Sequence, residues 1–421
     1  MIIIYSSHKR YRQRGYSLIE LLIALGLGMA VLVGLSTVFV AVKQTFRFQG
    51  TTGRMQEDGA FALDSIAKNL RMAGYTGCVG IRDKDSINNP GASYFPLGQM
   101  VKSSSNYIDS SNPLSVIKPD EFNITEQPFT PFNFIRGFDN IDGGRSGMLV
   151  AGEVPVKVAT DSMFFAGGSD KVVAVSDPMA KADSPLTVAA GPYKWNSVDK
   201  NKLYDMIVSD CKNSFIFKGK IAVSEIPNKV NIEHSLPENI YSEFMSKLVE
   251  IKVGVKKDVE TITETSIIFE KDAIIMPAEW SFYYIATRPE AKTSSLYRVF
   301  YDGNKRSEPE EVVSNVESMR LHYGESTNIE ESSSRVIDVW RTCAAGPATL
   351  DCDPVSDWSR IVAVRIGLMM VSAEDNVNSG GVELNVPDLL GITYSIPLDA
   401  SKSRLRKEFS TTVVLRNRVN W

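Results

Sequence analysis

The pattern of apolar and polar positions divides the chain into an apolar run, an amphipathic stretch and a long tract of alternation. From Leu21 to Val42 there are 22 consecutive residues without a charge. As a helix this run would extend about 33 Å, matching a hydrocarbon core about 30 Å thick. The period then changes. Leu63, Ile66, Ala67, Leu70 and Gly74 recur at helical spacing, and Asp64 precedes Lys68 in the favourable order for an i, i+4 ion pair. No proline interrupts Met1–Asn89, so one continuous helix is predicted, apolar all round in its first half and one-sided in its second. Gly50, Gly53 and Gly59 each weaken it by up to about 1 kcal/mol relative to alanine, which predicts a bend or frayed turn. Gly74 and Gly77 predict the stop. The one-sided half is expected to lie against a sheet.

Alternation at period two takes over afterwards. Ile361–Val371 places Val362, Val364, Ile366, Leu368 and Met370 on one strand face, and Phe409, Thr411, Val413 and Leu415 repeat the pattern. Lys171–Ser176, Phe215–Val223, Trp280–Ala286 and Leu296–Tyr301 are further predicted strands. Asn88–Pro131 and Glu325–Ser334, rich in Ser with Asn, Pro or Glu, are predicted loops. The fold class that follows is α+β: a long N-terminal helix packed on an antiparallel sheet of an extended, β-rich head. Its organisation is a basic leader over 1–15, a membrane-spanning helix over 16–42, its amphipathic continuation over 43–75 and the head over 76–421. That head is large enough for two lobes.

Charge orients this arrangement. The leader carries Lys9, Arg10, Arg12 and Arg14 and no acid, so its end is expected to stay cytoplasmic and everything after Val42 to be exported. No A-x-A-like site follows the apolar run, which therefore reads as a retained anchor. Removing the leader's four positive charges from the formal −4 leaves −8 on the mature chain, which argues against nucleic acid as the main partner. Cys78, Cys211, Cys343 and Cys352 all fall on the exported side with no C-x-x-C, consistent with an oxidising compartment. The local Cys343–Cys352 bridge, with Cys78–Cys211 remaining, is the natural pairing; free buried thiols are the alternative.

Glu20 stands at the mouth of the apolar run. Ser17-x-x-Glu20 has the form of a capping box, and a carboxylate beside a membrane segment also invites a charge partner. The junction Arg14-Gly15-Tyr16-Ser17-Leu18-Ile19-Glu20 resembles the class III signal peptide of type IV pilins and pseudopilins. The resemblance implies cleavage after Gly15, N-methylation of the new terminal Tyr16, and a role for Glu20 in setting register by pairing with the methylated amine of a neighbouring subunit. Two departures stand out: Tyr16 replaces the usual phenylalanine, and the membrane helix has Gly26, Gly28 and Gly34 in place of a kink-forming proline.

A narrower resemblance is to the PilW family of minor pilins. It is carried by Arg54-Met55-Gln56-Glu57-Asp58-Gly59-Ala60-Phe61-Ala62-Leu63, by Leu70–Cys78, and by Ser209-Asp210-Cys211. It continues in Val316–Gly324, Trp358–Ile366 and Phe409–Arg418, all in family order. The fold implied is pilin-like. The implied function is a structural subunit of a type IV pilus that helps initiate assembly and sits at the tip. Implied partners are other minor pilins, the major pilin, the prepilin peptidase and methylase, the inner membrane of a Gram-negative cell and a tip adhesin. A J-type pseudopilin of type II secretion shares the leader, helix and sheet. A membrane-anchored adhesin or enzyme that never polymerises is the rival from another class.

Catalytic and metal chemistry has little support. His8 leaves with the leader, His234 and His322 are isolated, and Gly144-Arg145-Ser146-Gly147 misses the nucleophile-elbow spacing by one position. No P-loop or dinucleotide fingerprint occurs, so no cofactor is expected. Asp139, Asn140 and Asp142, and Asp351, Asp353 and Asp357, bring oxygen ligands close in sequence for calcium; neither set follows the EF-hand pattern, and acidic turns are the commoner reading. The late cluster Lys402, Arg404, Arg406 and Lys407 reads as a solvated turn.

Overall fold

The computed structural model describes residues 15–77, 98–99, 134–139, 154–189, 202–210, 213–224, 226–237, 239, 245–252, 259–326, 336–342, 361–375, 387–394, 396 and 404–418. Helix α1 runs without interruption over Leu18–Leu70, 53 residues. Ser17 caps it: its Oγ accepts from the Ile19 N–H at 3.3 Å, and Glu20 Oε2 accepts from the Ser17 N–H at 3.0 Å. The predicted capping box is therefore formed. The helix ends at Leu70, four residues before the stop expected at Gly74–Gly77, and those two glycines lie in the following turn with φ of 71° and 91°. The helix continues through Gly50, Gly53 and Gly59 without a frayed turn. Gly59 has a different use: a Cβ there would stand 2.7 Å from the Phe409 ring, so the glycine lets the ring lie against the helix. Asp64 and Lys68 form no ion pair; both side chains are exposed, where such a pair is worth only a few tenths of a kcal/mol.

Seventeen strands follow the helix among the described residues. They begin with β1 (Gly98–Gln99), β2 (Ile135–Asp139), β3 (Asp161–Gly168), β4 (Val173–Asp177), β5 (Leu186–Ala189) and β6 (Leu203–Ser209). β7 (Ser214–Val223), β8 (Lys229–Glu233), β9 (Met245–Lys252), β10 (Val259–Ser266), β11 (Ile274–Ala286) and β12 (Ser295–Tyr301) follow. β13 (Glu310–Ser314), β14 (Val316–Glu325), β15 (Val339–Thr342), β16 (Ile361–Val371) and β17 (Arg406–Val414) complete the order. Each strand expected from the sequence is present, with β11 beginning six residues earlier than Trp280.

Two sheets and the helix share one core. The first sheet is antiparallel in the order β15-β14-β16-β17. The second runs β2-β3-β11-β12-β13, using the later half of β11. Met55, Ala62, Leu63, Ile66, Ala67 and Leu70 of α1 meet Val364, Ile366, Leu368 and Met370 of β16 and Phe165 and Tyr283 of the second sheet. Each large side chain buried there contributes roughly 1.5–3 kcal/mol. Polar contacts fix the register: Asn69 Nδ2 donates to Tyr283 Oη at 2.7 Å, and Gly74 N–H donates to the Ala166 carbonyl at 2.8 Å. A Cβ on Gly167 would stand 2.1 Å from the Met72 carbonyl, so the turn after the helix requires glycine in β3.

The first half of β11 belongs to another structure. β7 pairs with β8, β8 with β5, β5 with β4, β4 with β11, β11 with β6 and β6 with β7, which closes a ring. Val175, Leu186, Val188, Met206, Phe217 and Ile232 fill this small barrel. Pro277, opposite Met206, is the last β11 residue paired with β6, and Ala278 is the first paired with β3. A residue without an N–H thus sits where the strand changes partners. On β7 the Asn239 amide takes over from β8: it accepts from the Lys218 N–H and donates to the Lys218 carbonyl, both at 2.8 Å. Beyond it β1 pairs alongside Phe215–Ile216. The hairpin β9-β10 stands apart from both sheets in its pairing.

Candidate functional site

The chemistry-bearing part of this chain is a helix end and an apolar shaft. Gly15, Tyr16 and Ser17 precede the first helical turn in non-helical backbone, and Tyr16 is 90 % exposed. Residues 15–43 are all exposed, the apolar run among them, and α1 is long and apolar enough to cross a membrane. Glu20 lies on the first turn, where the helix dipole favours a negative charge. One of its oxygens is committed to the Ser17 N–H, and among the described residues no bond occupies the other. Residues 1–14, in which the leader is expected, lie outside the described residues.

The head begins close above the shaft. Arg47 Nη2 meets Glu374 Oε2 at 2.7 Å, five residues past Val42, and continuous burial of the helix starts at Met55. Exposed Phe46 and Phe61 extend the bare apolar surface along the outer side of the upper helix.

Cys78, Cys211, Cys343 and Cys352 lie outside the described residues. The neighbours of the first two are nonetheless together: Ser214 Oγ donates to the Thr76 carbonyl at 3.0 Å, and Gly77 faces Ser209 so closely that a Cβ would meet the Ser209 Cβ at 2.5 Å. For calcium, Asn140, Asp142, Asp351, Asp353 and Asp357 fall outside the described residues, as does Ser146; of Asp139 only the backbone is described. Among the described residues no group of three or more His, Cys, Asp or Glu side chains could hold a metal ion. His234 is buried with Nε2 at 2.9 Å from the Ser184 carbonyl, and His322 lies on β14.

The solvated turn expected over Lys402–Lys407 is corrected in part. Arg404 and Arg406 are buried, with Arg404 Nε 2.9 Å from Asp375 Oδ1 and Arg406 gripping both oxygens of buried Glu317 at 2.6 and 2.9 Å. Burial, then the charge of Glu317, push the Tyr394 pKa up. Arg320 Nη1 bonds Asp161 of β3 at 2.8 Å and ties the two sheets together. Sequence spacing gave no hint of these pairs, because partners such as Glu317 and Arg406 are far apart along the chain.

Two family profiles match the chain. Residues 10–36 match the Prokaryotic N-terminal methylation motif, and residues 282–417 match Type IV Pilus-assembly protein W, PilW. A type IV-like pilin from Thermus thermophilus is similar at 13 % identity, covering 52 % of this chain and 86 % of that one, with a TM-score of 0.20. No curated protein matches. A methylation motif leading into a bare apolar helix, whose upper half is built into an antiparallel sheet, defines a type IV pilin-like protein. Within that class it carries the PilW domain, which spans the later half of β11 and the strands β12 to β17. Of the barrel, only the β11 segment adjoins that match; β4 to β8 precede it.

Proposed function

We propose that this chain is a minor pilin, a structural subunit of a type IV pilus that helps initiate assembly and sits at the tip with other minor pilins. The observation that carries the reading is the division of one unbroken helix: an apolar lower half that none of the described residues covers, and an upper half locked into the head. An apolar surface of that length needs an apolar surrounding, first the bilayer and then the helices of neighbouring subunits. Cleavage falls between Gly15 and Tyr16, and Tyr16 receives the methyl group. Glu20, with one oxygen uncommitted, pairs with the terminal amine of the adjacent subunit. Disulfides Cys78–Cys211 and Cys343–Cys352 brace the head in the periplasm of a Gram-negative cell. The partners are other minor pilins, the major pilin, the processing peptidase and methylase, and a tip adhesin. Its work is packing rather than catalysis.

The test is intact-mass and N-terminal peptide spectrometry on protein from sheared filaments and from membranes. A mature chain beginning at methylated Tyr16 in the sheared fraction is expected, with Glu20→Ala processed normally but depleted there. A chain that keeps Met1–Gly15 and stays in membranes would overturn the reading in favour of an anchored ectodomain.

A further inference from the structure

One arginine of the four-stranded sheet lacks what its neighbours have. Arg320, Arg341 and Arg406 each grip a carboxylate, from Asp161, Glu325 and Glu317, and Arg404 beside β17 grips Asp375. Half-buried Arg365, on central strand β16, grips none among the described residues. Its guanidinium lies over the Trp340 ring at 4.4 Å from the centroid, and Nε makes a long 3.4 Å hydrogen bond to Thr412 Oγ1. Register puts it in a polar row across one face of the sheet, Thr342–His322–Arg365–Thr412. Beside it His322 is 9 % exposed, and its Nε2 is buried without a hydrogen-bond partner. Ser410, Thr412 and Val414 are exposed on β17, which pairs on one side only among the described residues.

We propose that this face is a docking surface for an acidic segment of a neighbouring subunit, whose carboxylate pairs with the Arg365 guanidinium. The proposal rests on the pilin reading only in naming the neighbour as a subunit. A stacked, planar guanidinium is held ready for two parallel hydrogen bonds to a carboxylate, and its terminal N–H groups are unspent. Burial, then the Arg365 charge, lower the His322 pKa, so the neighbouring imidazole is neutral and does not compete for the carboxylate. Apolar Trp340 and Val414 border the row, which suits a peptide better than a fully hydrated anion. The mature chain is itself acidic, at −8 once the leader's four cations leave the formal −4, so a second copy or a subunit of similar charge has carboxylates to offer.

The test places a photo-crosslinking residue at Ser410 in the full-length chain in its native membranes and maps the joined peptides. The expected product joins Ser410 to an acidic segment of another subunit, its yield falling at least tenfold in Arg365→Met and only partly in Arg365→Lys. Charge reversal restores the product when Arg365→Glu is matched by Lys at the mapped carboxylate, which excludes simple misfolding. A product insensitive to Arg365→Met, or one joining Ser410 to the chain's own Asp351–Asp357, would overturn the proposal. So would the absence of any protein product, with or without Arg365-dependent quenching of tryptophan fluorescence by inorganic phosphate in detergent. Because the crosslink is read in membranes, it can form even if the leader is retained, so the two readings fail separately.

Discussion

At Gly50 and Gly53 nothing lies within 4 Å of where a Cβ would be, whereas at Gly59 the Phe409 ring stands in the way at 2.7 Å, its Cγ included. The same substitution should therefore have opposite signs. Gly50→Ala is expected to stabilise the full-length protein in micelles by up to about 1 kcal/mol through helix propensity. Gly59→Ala is expected to cost a net 1 kcal/mol or so, because overpacking at about 1–3 kcal/mol outweighs that gain. Denaturant midpoints would order the two, and the reverse order would mean that Phe409 swings aside. His322 gives a second expectation. Its lowered folded-state pKa means that the unfolded chain takes up the proton first as pH falls. Stability linked to His322 is full above the ordinary histidine value and is lost as pH falls from about 6.5 towards the folded value. Melting curves from about pH 7 to 5 should fall less steeply in His322→Gln than in the parent.

Elements differ in how clearly the sequence announces them. The helix was legible because a long apolar run, a cap and a helical period all agree over one contiguous stretch. Strands β16 and β17 were legible because one face is apolar, with Thr411 on β17 the one exception. The barrel was not. β4, β5 and β8 are only 4–5 residues long, and closure depends on β11 serving two sheets around a proline that, locally, argues against a strand. Burial of charge was equally hidden: Arg404 and Arg406 look like a basic turn until Asp375 and Glu317 arrive from elsewhere in the chain. With Glu317 and Arg406 both buried, Arg406→Met alone should cost about 3–5 kcal/mol, since it strands a carboxylate. Arg406→Met with Glu317→Leu should recover most of that loss. Chemical denaturation of the two variants decides it; equal losses would show that the pair contributes more than mutual neutralisation.

For the whole molecule, the sequence led to a long apolar N-terminal helix and a β-rich head, but not to how the head is tied to its helix. Thr76 and Gly77 rest on Ser209 and Ser214, which brings the chain positions flanking Cys78 and Cys211 to one place. A bridge there would hold the end of the helix to the β6–β7 hairpin. Peptide mapping without reduction is expected to recover Cys78 joined to Cys211. Cys78→Ser, Cys211→Ser and the double variant should lose the same stability, about 2–5 kcal/mol. Additive losses would mean that the two thiols are separate.

The unbroken helix also sets a rotational phase. Each residue turns an α-helix by about 100°, and no hinge between Leu18 and Leu70 absorbs the angle. The face that the lower shaft shows to its surroundings is thereby geared to the compass direction in which the head points. One alanine inserted between Val42 and Lys43 leaves Arg47 on Glu374 but swings the whole head by about 100° around the shaft. Seven inserted residues bring it back to within about 20°. Incorporation should therefore rise and fall with the insertion's angle rather than with its length.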